Sequence, residues 1–240
     1  MGWWEAFLLC GLNQFIKSTV RYRDFQKMNK MDKPSDAATA EAVRVLVRVR
    51  PLSGTETASG AQPCVDVDGV ANHITVTGRE TMTFDNVADE ASTQVSVYEA
   101  TAAPLLEQAA KGFNGSIIAY GQTGSGKTHT MGTADLSSEI TEMSGVIPRL
   151  SHDIFEMAKR DGAHTCTEIK VSFLEIYNEE ILDLLAPKES RGEKLAVRGD
   201  KNVEVVGLTH AVVGTVGEMQ VKLQQVRSDR IADCGVGSAE

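Results

Sequence analysis

One stretch of eight residues constrains the chain more than any other. Residues 121–128 fit the pattern G-x-x-x-x-G-K-[ST]. Glycines in such a loop let the backbone curl, so that successive N–H groups point at one anion. The lysine adds a mobile ammonium for the β and γ phosphates, and the last hydroxyl is a ligand for Mg²⁺. The pattern therefore predicts a phosphate-binding loop (P-loop) made of Gly121, Gln122, Thr123, Gly124, Ser125, Gly126, Lys127 and Thr128.

The sequence on both sides of the loop agrees with this prediction. Residues 114–120 form a short apolar run that predicts a buried strand, and a helix is expected to open at 126–128. The alternative is a glycine-rich turn that binds nothing. Spacing alone does not separate kinases, GTPases and motor ATPases, because all of them use this loop.

Composition sets broader limits. The 240 residues carry a formal net charge of −9 and are 42% hydrophobic, which is typical of a soluble globular protein and excludes a disordered or collagen-like chain. The acidic balance argues against a nucleic-acid binder. The four cysteines lie far apart without a C-x-x-C pair, which predicts neither a disulfide framework nor a zinc site and indicates a reducing compartment such as the cytosol.

Hydrophobic periodicity predicts strands alternating with helices, and hence an α/β domain. Strands are expected at 43–49, 64–70, 73–84, 114–120, 165–177 and 203–213, and helices at 94–111, from 126, at 146–159 and at 215–230. The remaining predictions are loops at 53–63 and 188–201, an exposed insert at 133–145, and a short helical turn over 179–185.

The first 41 residues have a different character. Residues 3–16 are apolar but too few to span a bilayer as a helix, and an interfacial anchor is the weaker alternative. Residues 32–42 are small and polar, as in a linker. We therefore expect a poorly ordered extension and linker at 1–41, followed by a folded part at 42–240.

Three blocks of sequence resemble a known family. They are VRVRPL at 47–52, GSIIAYGQTGSGKTHTM at 115–131 and VSFLEIYNEEILDLL at 171–185. Together, and in this order, they resemble the kinesin motor domain over residues 42–240. The resemblance implies a P-loop NTPase with a central mixed sheet flanked by helices, binding ATP and Mg²⁺, with Thr128 as the Mg²⁺ ligand.

The resemblance also implies an adenine site. Arg48 and Pro51 would border the base, His129 would lie on its other side, and Tyr120 would lie near the entrance of the loop. Without the resemblance, a solvated helix side chain would be the better interpretation of His129. Within the third block, Phe173, Leu174, Ile176 and Tyr177 are expected to fill a core, with Glu179 and Glu180 in solvent.

Five basic residues stand close together in an otherwise acidic chain. In the kinesin fold the corresponding loop faces the microtubule, whose acidic surface would attract these side chains; a merely solvated loop is the alternative. The residues are Lys188, Arg191, Lys194, Arg198 and Lys201. The expected partner is thus the microtubule, and the expected location is the cytoplasm and its cytoskeleton, with no nucleic acid and a membrane unlikely.

Two further kinesin motifs are not found in the sequence. They are N-x-x-S-S-R-S-H and D-x-A-G-x-E, which act at the γ-phosphate. The resemblance therefore covers only the N-terminal part of a motor domain, and no complete catalytic set is expected.

Three functions follow from these observations. The first is the ATP-binding part of a microtubule motor, with little turnover in this chain alone and with hydrolysis coupled to movement in a longer protein. The second is a degenerate module that binds microtubules or a partner without ATPase activity. The third is a different P-loop enzyme.

Overall fold

The structure is a computed structural model, and it describes residues 10–11, 16–18, 43–132, 139–161, 167–190, 192–200 and 203–233. The helices are α1 (Gly54–Ala58), α2 (Gln94–Ala110), α3 (Lys127–Met131), α4 (Val146–Asp161) and α5 (Val216–Asp233). The strands are β1 (Cys10–Gly11), β2 (Ile16–Ser18), β3 (Leu46–Arg48), β4 (Val65–Asp68), β5 (His73–Val76), β6 (Thr81–Thr83), β7 (Asn86–Ala88), β8 (Ser116–Ile117), β9 (Thr167–Val171), β10 (Leu174–Tyr177), β11 (Glu180–Asp183), β12 (Lys194–Arg198), β13 (Glu204–Val206) and β14 (Ala211–Val213). The predicted α/β class is confirmed.

The strands pair in both directions. β3 and β7 are parallel, whereas β4–β5–β6 and β10–β11–β12–β13 are antiparallel ladders. β9 lies between β14 and β2, and β8 pairs with β1. Among the described residues, parallel and antiparallel pairing therefore occur in separate sheets, and the strands alternate with helices as expected of an α/β protein.

One hydrophobic core joins three helices to β9. Residues at helical spacing on α2, α4 and α5 point inward, and alternate residues of the 169–173 stretch meet them. The buried members include Tyr98, Leu106, Leu150, Ile154, Phe155, Ile169, Val171, Phe173, Met219 and Leu223. This core supports the short strand β8 and helix α3, which flank the predicted P-loop, because Ile117 and Met131 both pack on it.

Two glycines bring α3 against the start of α4. A Cβ added at Gly145 would lie 2.4 Å from the Gly132 nitrogen, and one added at Gly132 would lie 2.6 Å from the Gly145 nitrogen. Gly132 also adopts φ +78, which disfavours any residue with a Cβ. Only glycines allow the two backbones to approach so closely, and this contact fixes where the P-loop helix ends.

Two secondary-structure predictions were wrong in the third resemblance block and after it. The helical turn expected at 179–185 is strand β11, since Asn178 and Glu179 adopt positive φ values of 50° and 65° and form a tight two-residue hairpin. The loop expected at 188–201 contains β12, which pairs with β11 and β13. Asn178 suits a positive φ, but Glu179 stands where the strong hairpin signal would have glycine, so the sequence signal for this turn was weak.

Two smaller corrections concern predicted loops. Residues 53–63 contain helix α1, whose start is stabilised by reciprocal bonds between Ser53 and Glu56. Part of the insert expected at 133–145 lies outside the described residues, and Ser144 is 1% exposed rather than in solvent. The contact between Gly132 and Gly145 draws that end of the insert inward.

The predicted core of the third block is confirmed only in part. Phe173 is buried, and Leu174 and Ile176 are half-buried, but the side chain of Tyr177 is 53% exposed because it ends β10 beside the hairpin turn. Glu179 is exposed, and Glu180 forms an ion pair with Lys194 of β12.

The N-terminal region is described at two places only. β1 pairs with β8 and β2 pairs with β9, both antiparallel. The rest of residues 1–41 lies outside the described residues, so the extension at 1–41 and the folded part at 42–240 stay predictions. Within the part of the chain that is described, no helix is long and apolar enough to cross a membrane.

Candidate functional site

Backbone conformation gives the loop at 121–128 its shape. Gly124 and Gly126 have φ values of 79° and 99°, in the left-handed region that glycine favours. Gly126 is the residue before α3, and its carbonyl accepts a hydrogen bond from the Thr130 nitrogen at 2.9 Å. A Cβ at Gly121 would lie 2.5 Å from Ser125 Oγ. The loop therefore has the tight curvature that the glycine spacing predicts.

The side chain of Lys127 lies back over the loop. Its Nζ donates to the carbonyl oxygens of Gly121 at 2.7 Å and Gln122 at 3.0 Å. The ammonium is thus held against the loop by two of its backbone carbonyl oxygens. Thr128, the predicted Mg²⁺ ligand, follows as an exposed residue in the first turn of α3.

Arg48 reaches from β3 to α3. Its Nη1 donates to Thr130 Oγ1 at 3.0 Å and to Gln94 Oε1 at 2.7 Å, and its Nη2 donates to the Ser92 carbonyl at 3.3 Å. These acceptors are all neutral. Burial lowers the pKa of Arg48, and the guanidinium stays charged because arginine is not deprotonated in proteins.

His129 lies in α3, close enough to Arg48 for their charges to interact. Partial burial lowers the pKa of His129, and the positive charge of Arg48 lowers it further. The imidazole is therefore mainly neutral at pH 7. We use the name polar node for Arg48, Gln94, His129 and Thr130.

Gln94 is a member of the polar node that the sequence analysis did not identify. It is the first residue of α2 and is 4% exposed. Its Nε2 donates to the His129 carbonyl at 2.7 Å and to the Met143 carbonyl at 3.2 Å. One signal was available: Gln94 is a polar residue on the same helical stripe as the buried Val97 and Tyr98.

The side chain of Arg50 also joins the 47–52 segment to the P-loop. Arg50 Nε donates to the Gly124 carbonyl at 2.8 Å, and its Nη2 lies 2.6 Å from Glu56 Oε1. The hydrogen bonds from Arg50, followed by those from Ser53, lower the pKa of Glu56 to about 2. The same pairing raises the pKa of Arg50. This ion pair was not predicted, because residues 53–63, which include Glu56, were expected to form a loop.

The other predicted site residues are less closely tied to the polar node. Tyr120 is 87% exposed on the side of its segment away from the core, on which Ile117 and Ala119 pack. Pro51 is exposed, and its carbonyl accepts a bond from Arg50 Nη1 at 2.8 Å. The structure thus brings Arg48 and His129 together and leaves Tyr120 and Pro51 open to solvent.

Three of the five predicted basic residues are described, and all three are exposed. Lys188 precedes β12, while Lys194 and Arg198 lie at its two ends. Lys194 is paired with Glu180, and Arg198 stands opposite Glu204 in the ladder, so acidic neighbours dilute the patch. Arg191 and Lys201 lie outside the described residues. Among the described residues, no cluster of three or more His, Cys, Asp or Glu side chains could hold a metal ion.

Comparison with known families gives a match over most of the chain. A family model described as the kinesin motor domain matches residues 48–234. Among curated proteins, kinesin-like protein klp-19 of Caenorhabditis elegans is 44% identical over 169 residues, and human chromosome-associated kinesin KIF4A is 39% identical over 174. These alignments cover 70% and 71% of this chain but 15% and 14% of the relatives, so the chain spans a small part of their length.

Comparison with solved structures agrees. A structure described as that of a fast kinesin, with implications for its ATPase mechanism and its interactions with microtubules, matches with a TM-score of 0.73 and 33% identity. The match covers 83% of this chain and 56% of that one.

Proposed function

The chain belongs to the kinesin motor domain family, a family of microtubule motors, and from this premise we propose that its P-loop binds the polyphosphate of ATP together with Mg²⁺. The observation that carries the proposal is the backbone of residues 121–128. Left-handed glycines at 124 and 126 and the ammonium of Lys127 surround one concave turn.

The residues present fit a magnesium–nucleotide ligand. The turn offers backbone N–H groups and one ammonium to the phosphates, and the exposed Thr128 hydroxyl is an oxygen ligand of the type that Mg²⁺ accepts. Mg²⁺ bound there would neutralise part of the phosphate charge. Arg48 and His129 of the polar node would contact the base, with Pro51 and Tyr120 at its solvent edge.

We propose further that these 240 residues hold nucleotide with little turnover. Phosphoryl transfer depends on positioning and charge around the γ-phosphate. The sequence contains the P-loop but neither N-x-x-S-S-R-S-H nor D-x-A-G-x-E. Coupling of hydrolysis to movement along microtubules is proposed for a longer protein that contains these motifs. Microtubule-stimulated ATP hydrolysis by the 240 residues would contradict the low-turnover proposal.

The nucleotide proposal is tested by equilibrium binding of MgATP and of magnesium tripolyphosphate. Lys127→Ala should weaken both by about 10- to 100-fold, because each loses a charge-assisted phosphate contact worth about 1.5–3 kcal/mol. Lys159→Ala is the matched control, since Lys159 is exposed near the far end of α4 and pairs with Glu156. Absence of binding to the wild type, or equal affinity of Lys127→Ala, would refute the proposal. A preference for GTP over ATP would favour a different P-loop enzyme.

The microtubule is the proposed protein partner, and the cytoplasmic cytoskeleton the proposed location. The exposed cations Lys188, Lys194 and Arg198 support this partner, because the surface of tubulin is acidic. Arg191 and Lys201 of the predicted patch remain part of the proposal.

Sedimentation with microtubules tests this partner. Binding should weaken with added salt and should weaken further in Lys188→Glu/Arg198→Glu. Arg79→Glu/Lys111→Glu makes the same charge change at exposed residues elsewhere and should bind as the wild type does. Equal loss in both double variants would show a general charge effect and count against the patch.

The exposed cations Lys188, Lys194 and Arg198 also support one second candidate, a module that binds microtubules without using nucleotide. Microtubule binding by a wild type that binds neither MgATP nor tripolyphosphate would support that candidate over the first.

A further inference from the structure

Gln94 is a buried carboxamide that touches three separate segments of the chain. It is 4% exposed at the start of α2. Its oxygen accepts from Arg48 Nη1 of β3 at 2.7 Å, and its nitrogen donates to the carbonyls of His129 in α3 at 2.7 Å and of Met143 at 3.2 Å. All its hydrogen-bonding groups therefore face partners of the right kind.

The three partners require a carboxamide of this length. A guanidinium only donates, so it needs an oxygen; two carbonyls only accept, so they need an N–H group. This pairing fixes the orientation of the amide. A glutamate would place an oxygen against both carbonyls, and a methionine of similar size would leave one charged donor and two acceptors without their partner.

The hydrogen bonds of Gln94 help to position Arg48 and His129. All the described hydrogen bonds of Arg48 go to neutral acceptors. The orientation of its guanidinium group therefore depends on Gln94, Thr130 and Ser92 together. The same amide holds the backbone of His129, one residue after the P-loop. None of the described hydrogen bonds of Gln94 reaches residues 121–128.

We propose that Gln94 is the positioning residue of the base-binding side of the site: it holds Arg48 and the His129 turn in the arrangement that receives the base and leaves the phosphate side unchanged. This inference rests on the proposed function, because it presumes that the P-loop holds the triphosphate. It assigns to Gln94 the selectivity of the site for a complete nucleotide over its polyphosphate alone.

The experiment compares the affinities of the full chain for MgATP and for magnesium tripolyphosphate. Gln94→Met should weaken MgATP binding about tenfold, as expected for lost hydrogen bonds to a charged group, and should change tripolyphosphate binding less than about twofold. Gln108→Met is the matched control, since it makes the same substitution at an exposed position on the same helix, and both affinities should stay at the wild-type value.

A double-mutant cycle separates positioning from general stability. If Gln94 acts through Arg48, then Gln94→Met should change MgATP affinity less than about twofold in an Arg48→Ala background, so that the two losses are not additive. Thermal unfolding and circular dichroism of each variant establish that it is folded. Should Gln94→Met fail to fold, Thr130→Val, which removes a single acceptor of Arg48, takes its place in the cycle.

The outcomes separate the two proposals. A wild type that binds neither ligand refutes the proposed function itself. A wild type that binds both, with Gln94→Met weakening both equally or weakening MgATP additively with Arg48→Ala, overturns the positioning role and leaves the P-loop proposal standing. Loss of MgATP affinity alone, absent in the Arg48→Ala background, supports the role.

Discussion

The P-loop and the polar node meet at helix α3, but they are built in opposite ways. The loop is a contiguous, partly exposed run whose shape comes from glycine backbone angles. The node is gathered from residues 46 and 82 positions apart, and its shape comes from side-chain hydrogen bonds around a buried amide. One half of the candidate site is therefore sensitive to an added Cβ, and the other to a changed polar atom.

The difference also explains what each half can recognise. Backbone N–H groups and one ammonium respond to charge and curvature, which every triphosphate shares. In the proposed site, fixed side chains such as Arg48 and His129 would respond to the shape and polarity of a base. Discrimination between nucleotides should therefore reside in the node, and most of the affinity in the loop.

We expect the largest effect at the contact between Gly132 and Gly145, because both the P-loop and the polar node depend on it. Gly145→Ala places a Cβ 2.4–2.6 Å from the backbone of Gly132 and Thr130, which cannot move aside like a side chain. We expect a loss of about 3 kcal/mol in the free energy of unfolding and weaker binding of both MgATP and tripolyphosphate. Urea unfolding and equilibrium binding measure the two.

Gly54→Ala is the control for that substitution. No atom lies within 4 Å of its Cβ, so stability and binding should change little. Wild-type affinity in a folded Gly145→Ala protein would show that the loop and the node do not share this support.

A substitution with a smaller effect should distinguish a change in the backbone conformation of the P-loop from a general loss of stability. Gly126→Ala adds only strain, because Gly126 has φ +99 and no atom within 4 Å of the added Cβ. We expect about 1–2 kcal/mol of destabilisation together with weaker tripolyphosphate binding. Gly60 has φ +78 and equally open space, so Gly60→Ala should lose similar stability and keep its affinity. Equal affinities of the two variants would contradict a backbone-built phosphate site.

We expect the smallest effect from the partly exposed ion pair between Arg50 and Glu56. The pKa of Glu56 is lowered to about 2 in the folded chain, so its contribution to stability is present above its unfolded pKa. It should be lost as the pH falls from about 4.5 toward 2. The stability difference between wild type and Glu56→Gln should therefore shrink over this range when unfolding is followed by circular dichroism.

Glu107→Gln is the matched control, since Glu107 is exposed on α2. A difference between wild type and Glu56→Gln that does not change with pH would show that the ion pair contributes nothing.

Periodicity predicted the long elements well. The helix expected at 94–111 is α2, and the one expected at 146–159 is α4, because both carry apolar residues at helical spacing over several turns. The hairpin of β10 and β11 was missed because its turn depends on Asn178 and Glu179 rather than on glycine. The strand expected at 114–120 is only two residues long as β8.

The residues of the candidate site likewise divide into those that a local sequence pattern could identify and those that it could not. Gly121–Thr128 could be recognised because its chemistry lies in consecutive residues. Arg48 and His129 were identified through resemblance alone. Gln94 and the bond from Arg50 to Gly124 depend on tertiary contacts, and no local pattern expresses them.

The position of the Lys127 ammonium has a consequence for any measured affinity. Its N–H groups already donate to the carbonyls of Gly121 and Gln122, so we expect binding of the proposed phosphate ligand to exchange some of these bonds rather than only to add new ones. The affinity lost in Lys127→Ala then reports the difference between two states of the lysine, one bonded to the loop carbonyls and one bonded to phosphate. It will understate the direct attraction between ammonium and phosphate, and ligands with more negative charge should drive the exchange further.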